Sequence, residues 1–200
     1  MKKRSQALQQ AVDGQFDVCV IGGGASGAAC ALDAQLRGLR TVLVEAGDFA
    51  SGSSTAATKL AHGGVRYLQE AVTDLDPQQY HLVEAALRER GLMLRNAPYL
   101  TRTIEFLVPC FTHFDQFYYG LGMKMYDWIS GKASLLPSRV LTREEVLFRM
   151  PAMESKNLTG AVAYADGQFD DARYAVALVE TFDGLGGAAL NYARVTGQTA

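Results

Sequence analysis

The sequence is short of the features that mark specialised environments. Among its 200 residues no block of like charge is longer than Lys2-Lys3-Arg4, and the net charge is −2. Nucleic acid is bound through a basic patch or stripe, and none is present, so no nucleic-acid partner is expected. No apolar stretch reaches membrane-spanning length, because the Gly/Ala-rich run after Val18 is broken at Asp33. The basic start leads into Gln, Asp and Gly rather than an apolar segment, so it does not read as a secretory signal. Cysteine is scarce: Cys19, Cys30 and Cys110 are odd in number and lack metal-ligand spacing. They read as reduced, structural thiols of a cytoplasmic protein, and no metal site is expected. What is present is an ordinary globular balance, 48% hydrophobic and 20% charged. That is enough to bury the core of one large domain or a domain and a half.

The pattern along the chain alternates strand and helix. Residues 1–14 read as a mobile polar leader. Phe16-Asp17-Val18-Cys19-Val20-Ile21 is a short apolar run ending in glycines, which suits a buried parallel strand. From Gly27 to Leu36 small residues recur at helical spacing and Gly38 supplies a C-terminal stop. Thr41 to Glu45 is the next strand, completing one βαβ unit. After the Ser/Thr/Gly-rich loop from Ala50 to Thr58, Asp76-Pro77 opens a helix that stops before Pro98. Residues 98–112 read as strand. Phe114, Phe117, Tyr118, Leu121, Met125 and Trp128 share one helical face, whose ordinary use is core or interdomain packing and whose sharper alternative is contact with a membrane surface. Thr142 to Glu145 is a capping box for a short helix, Ala161 to Tyr164 a strand, Asp170 or Asp171 a helix cap, and Ala188 to Val195 a final strand.

The chemistry lies in the glycines. Gly22-Gly23-Gly24-Ala25-Ser26-Gly27 fits G-x-G-x-x-G, and it follows a strand, opens a helix and precedes Glu45 at the end of the second strand. Gly22 permits the tight turn, Gly24 lets the backbone approach a pyrophosphate, and Gly27 lets the helix pack close to the strand. The helix N-terminus offers amide donors to the phosphates. Glu45 is placed to accept hydrogen bonds from ribose hydroxyls and disfavours a 2′-phosphate. The fingerprint alone leaves FAD and NAD both open; the polar loop from Ser51 to Thr55, continuing to Thr58-Lys59-Leu60, favours the longer dinucleotide.

The stretch Thr58-Lys-Leu-Ala-His62-Gly-Gly-Val-Arg66-Tyr67-Leu68 resembles the signature of the FAD-dependent glycerol-3-phosphate dehydrogenases and oxidases. The likeness continues through 76–98, 124–127 and 166–173. It implies oxidation of glycerol 3-phosphate to dihydroxyacetone phosphate, with electrons passing from FAD to a quinone or to oxygen. It also implies that Gly22, Gly24, Gly27, Glu45, Ser54, Thr58 and Leu60 contact FAD, that Arg66 and Tyr67 lie on the substrate side, and that His62 is the nearby candidate for a catalytic base. A phosphate ester favours an arginine, whose guanidinium offers several donors.

The expected fold is therefore α/β: a Rossmann-like FAD-binding domain of the glutathione-reductase type, discontinuous over 15–97 and 160–200. Residues 98–159 begin a substrate or cap domain. The chain reads as the N-terminal part of a longer enzyme, inactive alone, cytoplasmic and with peripheral membrane contact on the inner face as an option. A related flavin oxidase of amino or hydroxy acids, and a non-catalytic flavin-binding module, are the alternatives.

Overall fold

A computed structural model describes residues 1–64, 76–131 and 134–197. The chain folds into two compact units, Met1–Lys59 with Asp170–Ala200, and Leu60–Phe169. The boundaries differ from those expected, which kept residues up to 97 with the first unit. The reason is local pairing. The short strand β3 (Leu60–Ala61) joins the second unit's sheet, and the helix α3 (Pro77–Asn96) packs in that unit as well.

The first unit holds α1 (Arg4–Asp13), β1 (Val18–Ile21), α2 (Ala25–Leu36), β2 (Thr41–Val44), a 3-10 turn (Ser53–Thr55), α6 (Asp171–Gly184) and β7 (Ala188–Leu190). Its three strands are parallel in the order β1-β2-β7, with Val18 opposite Thr41 and Val42 opposite Ala188. Parallel strands need crossovers, and α2 supplies the first. Ala28 and Ala31 on α2, Leu43 on β2, Val179 and Phe182 on α6 and Ala189 on β7 form the core. Small residues on α2 let that helix sit close to α6 and the sheet. Full burial of a side chain such as Phe182 is worth about 1.5–3 kcal/mol. Gly187 makes room for it, since a Cβ there would lie 2.3 Å from the Phe182 ring. Gly38, at φ +86°, takes the left-handed position just past the Arg37 cap of α2.

The polar leader is not loose. Residues 4–13 form α1, whose buried residue is Ala7. Polar bonds to residues far along the chain hold it. Lys2 Nζ donates to Asp183 Oδ1 (3.2 Å) and to the Gly187 carbonyl (2.8 Å), and Gln10 donates to the Gly186 carbonyl. At the other end, β7 is shorter than the strand expected over 188–195. Tyr192 and Ala193 leave the strand line and donate instead to the carbonyls of Gly47 and Glu45.

The second unit is built on the central strand β6 (Gly160–Phe169), longer than the 161–164 run expected. One edge pairs antiparallel along its length with β4 (Thr101–Cys110), from Thr101 opposite Phe169 to Cys110 opposite Gly160. The other edge takes β5 (Arg139–Thr142) and then β3. The helix α5 (Arg143–Arg149) opens on the Thr142/Glu145 capping box, with both reciprocal hydrogen bonds present. Leu141, Val146, Leu158, Ala161 and Ala163 pack together between β5, α5 and β6.

The aromatic helix α4 (His113–Ser130) turns its stripe outward rather than into a core. Phe114, Phe117, Tyr118, Leu121 and Trp128 are exposed, while its buried residues are Met123, Tyr126 and Ser130. Helical periodicity establishes that a face is apolar, and it carries no information about which neighbour covers that face.

Candidate functional site: a glycine cradle at a helix N-terminus

In the first unit the expected glycine turn forms between β1 and α2. Gly22 has φ +108°, a region that side-chain-bearing residues avoid, and its N–H donates to the Val44 carbonyl across the strand ends. Gly24 is the N-cap of α2. A Cβ at Gly24 would stand 2.9 Å from Ser54 Oγ, and one at Gly27 would stand only 1.8 Å from the Gly22 carbonyl oxygen. The turn thus folds back on its own helix so closely that position 27 has no room for a methyl group. A glycine cradle in front of an α-helix N-terminus fits a pyrophosphate.

Glu45 sits beside this turn, and its carboxylate is already engaged with backbone. Oε2 accepts from the Gly23 N–H and Oε1 from the Gly47 N–H, each at 2.7 Å. Those amides, Gly47 first, hold its carboxyl below the usual carboxylate range. The stability this contributes is present above the unfolded value and disappears as pH falls through the lower folded value. Glu45→Gln should therefore have a lower denaturant midpoint at neutral pH. Its gap to the wild type should close from about pH 5 downward, as the wild-type carboxyl protonates. A gap that stays constant with pH would show that Glu45 is not held ionised by the turn. Each carboxylate oxygen keeps acceptor capacity for a ribose hydroxyl beside its amide.

The loop after β2 is also tied down. Ser54 Oγ accepts from the Ala25 N–H at 2.9 Å, linking the 3-10 turn to the first residue of α2. Ala50 closes against the glycine turn by donating to the Gly23 carbonyl. Thr58 is exposed. Next to it Lys59 holds φ +61°, an uncommon conformation for a residue with a side chain. Asp171, buried at the start of α6, holds it there. Its Oδ1 accepts from Lys59 Nζ at 2.5 Å and its Oδ2 from the Ala57 N–H at 3.2 Å. The Lys59 contact is the main reason the Asp171 carboxyl lies below its ordinary value. Sequence reasoning assigned no role to Asp171 beyond a cap; its partners lie more than a hundred positions away.

In the second unit, Leu60 lies in β3 and is half-buried, and His62 follows it, exposed. Arg66 and Tyr67 lie outside the described residues. Gly22, Gly24, Gly27, Glu45 and Ser54 come together around one turn of the first unit, as the hydrogen bonds above show. A cluster that sequence reasoning did not name as a site lies near His62: Arg90, Tyr126 and Asp166 are all buried. Arg90 Nη1 donates to Asp166 Oδ1 at 2.7 Å and to the Tyr126 hydroxyl at 3.1 Å. Burial pushes the Asp166 carboxyl up, opposed by the Arg90 hydrogen bond and charge. Burial likewise pushes the Tyr126 phenol above its ordinary range. Among the described residues no group of His, Cys, Asp and Glu could hold a metal ion.

Comparison with known proteins agrees with this geometry. Residues 17–200 match the family described as FAD dependent oxidoreductase. Over 181 residues the chain is 47% identical to "Glycerol-3-phosphate dehydrogenase, mitochondrial" of Rattus norvegicus, covering 90% of this chain and 25% of that protein. Over 177 residues it is 50% identical to "Probable glycerol-3-phosphate dehydrogenase" of Encephalitozoon cuniculi, covering 88% and 29%. The crystal structure of the glycerol-3-phosphate dehydrogenase from Bacillus halodurans complexed with FAD superposes with a TM-score of 0.67 at 32% identity, over 97% of this chain and 30% of that one. The chain thus spans between a quarter and a third of the length of these relatives. With a glycine cradle built for a pyrophosphate and a family match over nearly its whole length, the chain belongs to the FAD-dependent oxidoreductases.

Proposed function

We propose that these residues are the N-terminal part of an FAD-dependent glycerol-3-phosphate dehydrogenase, which oxidises sn-glycerol 3-phosphate to dihydroxyacetone phosphate and passes the electrons to a quinone or to oxygen. The observation that carries the reading is the identity of 47–50% with proteins of that name, in a chain that also has the His62-Gly-Gly-Val-Arg66 segment. The first unit is the FAD-binding domain, with the pyrophosphate at Gly22, Gly24 and Gly27, the ribose at Glu45, and Ser54, Thr58 and Leu60 as further contacts. The second unit begins the substrate domain. FAD, when bound, supplies the acceptor for the hydride that leaves C2 of the substrate. The chain's own groups bind and orient: Arg66 holds the phosphate, Tyr67 lies beside it, and His62 takes the proton of the C2 hydroxyl.

The reaction is cytoplasmic, with peripheral contact to the inner face of the membrane. The outward apolar face of α4, with Phe114, Phe117, Leu121 and Trp128, supports that contact. No helix among the described residues is long and apolar enough to cross a membrane.

Arg66→Ala in the intact gene product tests the substrate side. Losing a charge-assisted contact to phosphate costs about 1.5–3 kcal/mol, so kcat/KM for glycerol 3-phosphate should fall at least roughly tenfold with flavin content unchanged. Assayed beside it, glycine and lactate should be poor substrates of the wild type. An unchanged kcat/KM would remove Arg66 from the site, and preference for glycine or lactate would move the enzyme to the amino- or hydroxy-acid oxidases.

A further inference from the structure

We infer that Arg90, Asp166 and Tyr126 are positioning residues: a buried polar cluster that fixes the backbone of residues 61–64 and so sets where His62 is presented. The inference rests on the proposed function for its kinetic consequence, but the backbone claim stands on contacts alone. Residues 60–64 are held at two points. At the first, β3 pairs with β6, Ala61 opposite Gly167. The approach is tight, since a Cβ on Gly167 would meet the Ala61 carbonyl oxygen at 3.0 Å and Arg90 Cγ at 3.5 Å. At the second, Gly63 lies directly on the cluster. A Cβ there would stand 2.3 Å from both the Tyr126 hydroxyl and Leu87 Cδ2, so the hydroxyl lies against the Gly63 backbone.

The cluster ties these two points together. Asp166 Oδ1 accepts from Arg90 Nη1 and from the Gly167 N–H at 3.2 Å, so the carboxylate grips the strand position opposite Ala61. The same Arg90 nitrogen donates to Tyr126, which meets Gly63. Val83 and Leu87 from α3 pack the Tyr126 ring from its apolar side. Buried polar groups bonded to one another allow few alternative arrangements, which is how such a network fixes a single backbone geometry. His62 is exposed between two buried or paired neighbours. A general base has to lie within hydrogen-bond reach of the proton it takes, so small backbone shifts at 62 fall on the chemical step.

The test compares two variants of the intact gene product. Tyr126→Phe removes only the hydroxyl, and Val83→Ala removes packing from the same ring without touching a polar partner. Three readouts are followed: amide hydrogen exchange over residues 60–64, flavin content by absorbance, and kcat and KM for glycerol 3-phosphate. Tyr126→Phe should speed exchange over 60–64 about tenfold and lower kcat about tenfold, with KM and flavin content near wild type. Val83→Ala should lower the melting temperature while leaving that exchange and kcat closer to wild type. Exchange over 60–64 unchanged in Tyr126→Phe overturns the inference, and faster exchange with unchanged kcat overturns its catalytic half. A wild type inert towards glycerol 3-phosphate would instead remove the proposed function, and the exchange comparison would still decide whether the cluster positions the backbone.

Discussion

Gly27→Ala should strip the protein of its flavin. The added methyl carbon would sit 1.8 Å from the Gly22 carbonyl oxygen, far inside any contact a real side chain makes. Backbone cannot swing aside as a side-chain tip can, so either α2 backs away from the turn or the turn opens. Both movements take the first amides of α2 out of line with Gly22 and Gly24, which the pyrophosphate contact needs. Forcing extra volume into a packed site costs about 1–3 kcal/mol and occasionally more, and this contact belongs at the upper end. Gly24→Ala makes a useful comparison. Its new methyl would meet only Ser54 Oγ, a side-chain atom that can rotate away, at the loss of its bond from Ala25. Thermal unfolding of both variants should rank Gly27→Ala as much the more damaging to the fold. Equal flavin content in Gly27→Ala and wild type would contradict the cradle.

Asp166→Ala should be the most destabilising single change in the second unit. It removes the counter-charge of a buried guanidinium along with the acceptor for the Gly167 amide. Breaking a buried pair from one side costs about 3–5 kcal/mol, which for a protein of this size lowers the melting temperature by on the order of 10 °C. Asp33→Ala breaks an ion pair of similar geometry, with Arg37, on the open surface of α2. Water and salt screen that pair, so its loss should leave the melting temperature where it is. Similar shifts for the two variants would mean that burial of the Arg90–Asp166 pair carries no special weight.

What could be read from the sequence follows the range of the interactions. The βαβ unit was legible because its signals are local: the apolar runs at 18–21 and 41–44, and the glycines at fixed offsets between them. Helix starts at Asp76, Thr142 and Asp170 were legible for the same reason, since a cap reaches only two or three residues, and each of these side chains accepts an N–H from the first turn. The helix α1 was not, because polar bonds to residues 183–191 hold it rather than an apolar stripe of its own. The strand β3 is too short, at two residues, to show a period, and β5 buries only Leu141 of its four residues, so neither carries an apolar run like those of β1 and β2. They exist because β6 offers them an edge. Asp171 read in the sequence as a candidate helix cap and Asp166 as part of the 166–173 stretch that carries the likeness, and only the fold brings Lys59 to one and Arg90 to the other.

The reading of the whole protein stands on reduction of its flavin by glycerol 3-phosphate. The direct measurement is to mix the purified, flavin-loaded intact gene product with that substrate in the absence of oxygen and follow the visible absorbance of the flavin. Rapid bleaching is expected with glycerol 3-phosphate, none with glycine or lactate, and a slower approach in Tyr126→Phe. Flavin that stays oxidised with glycerol 3-phosphate but bleaches with an amino or hydroxy acid would contradict that reading.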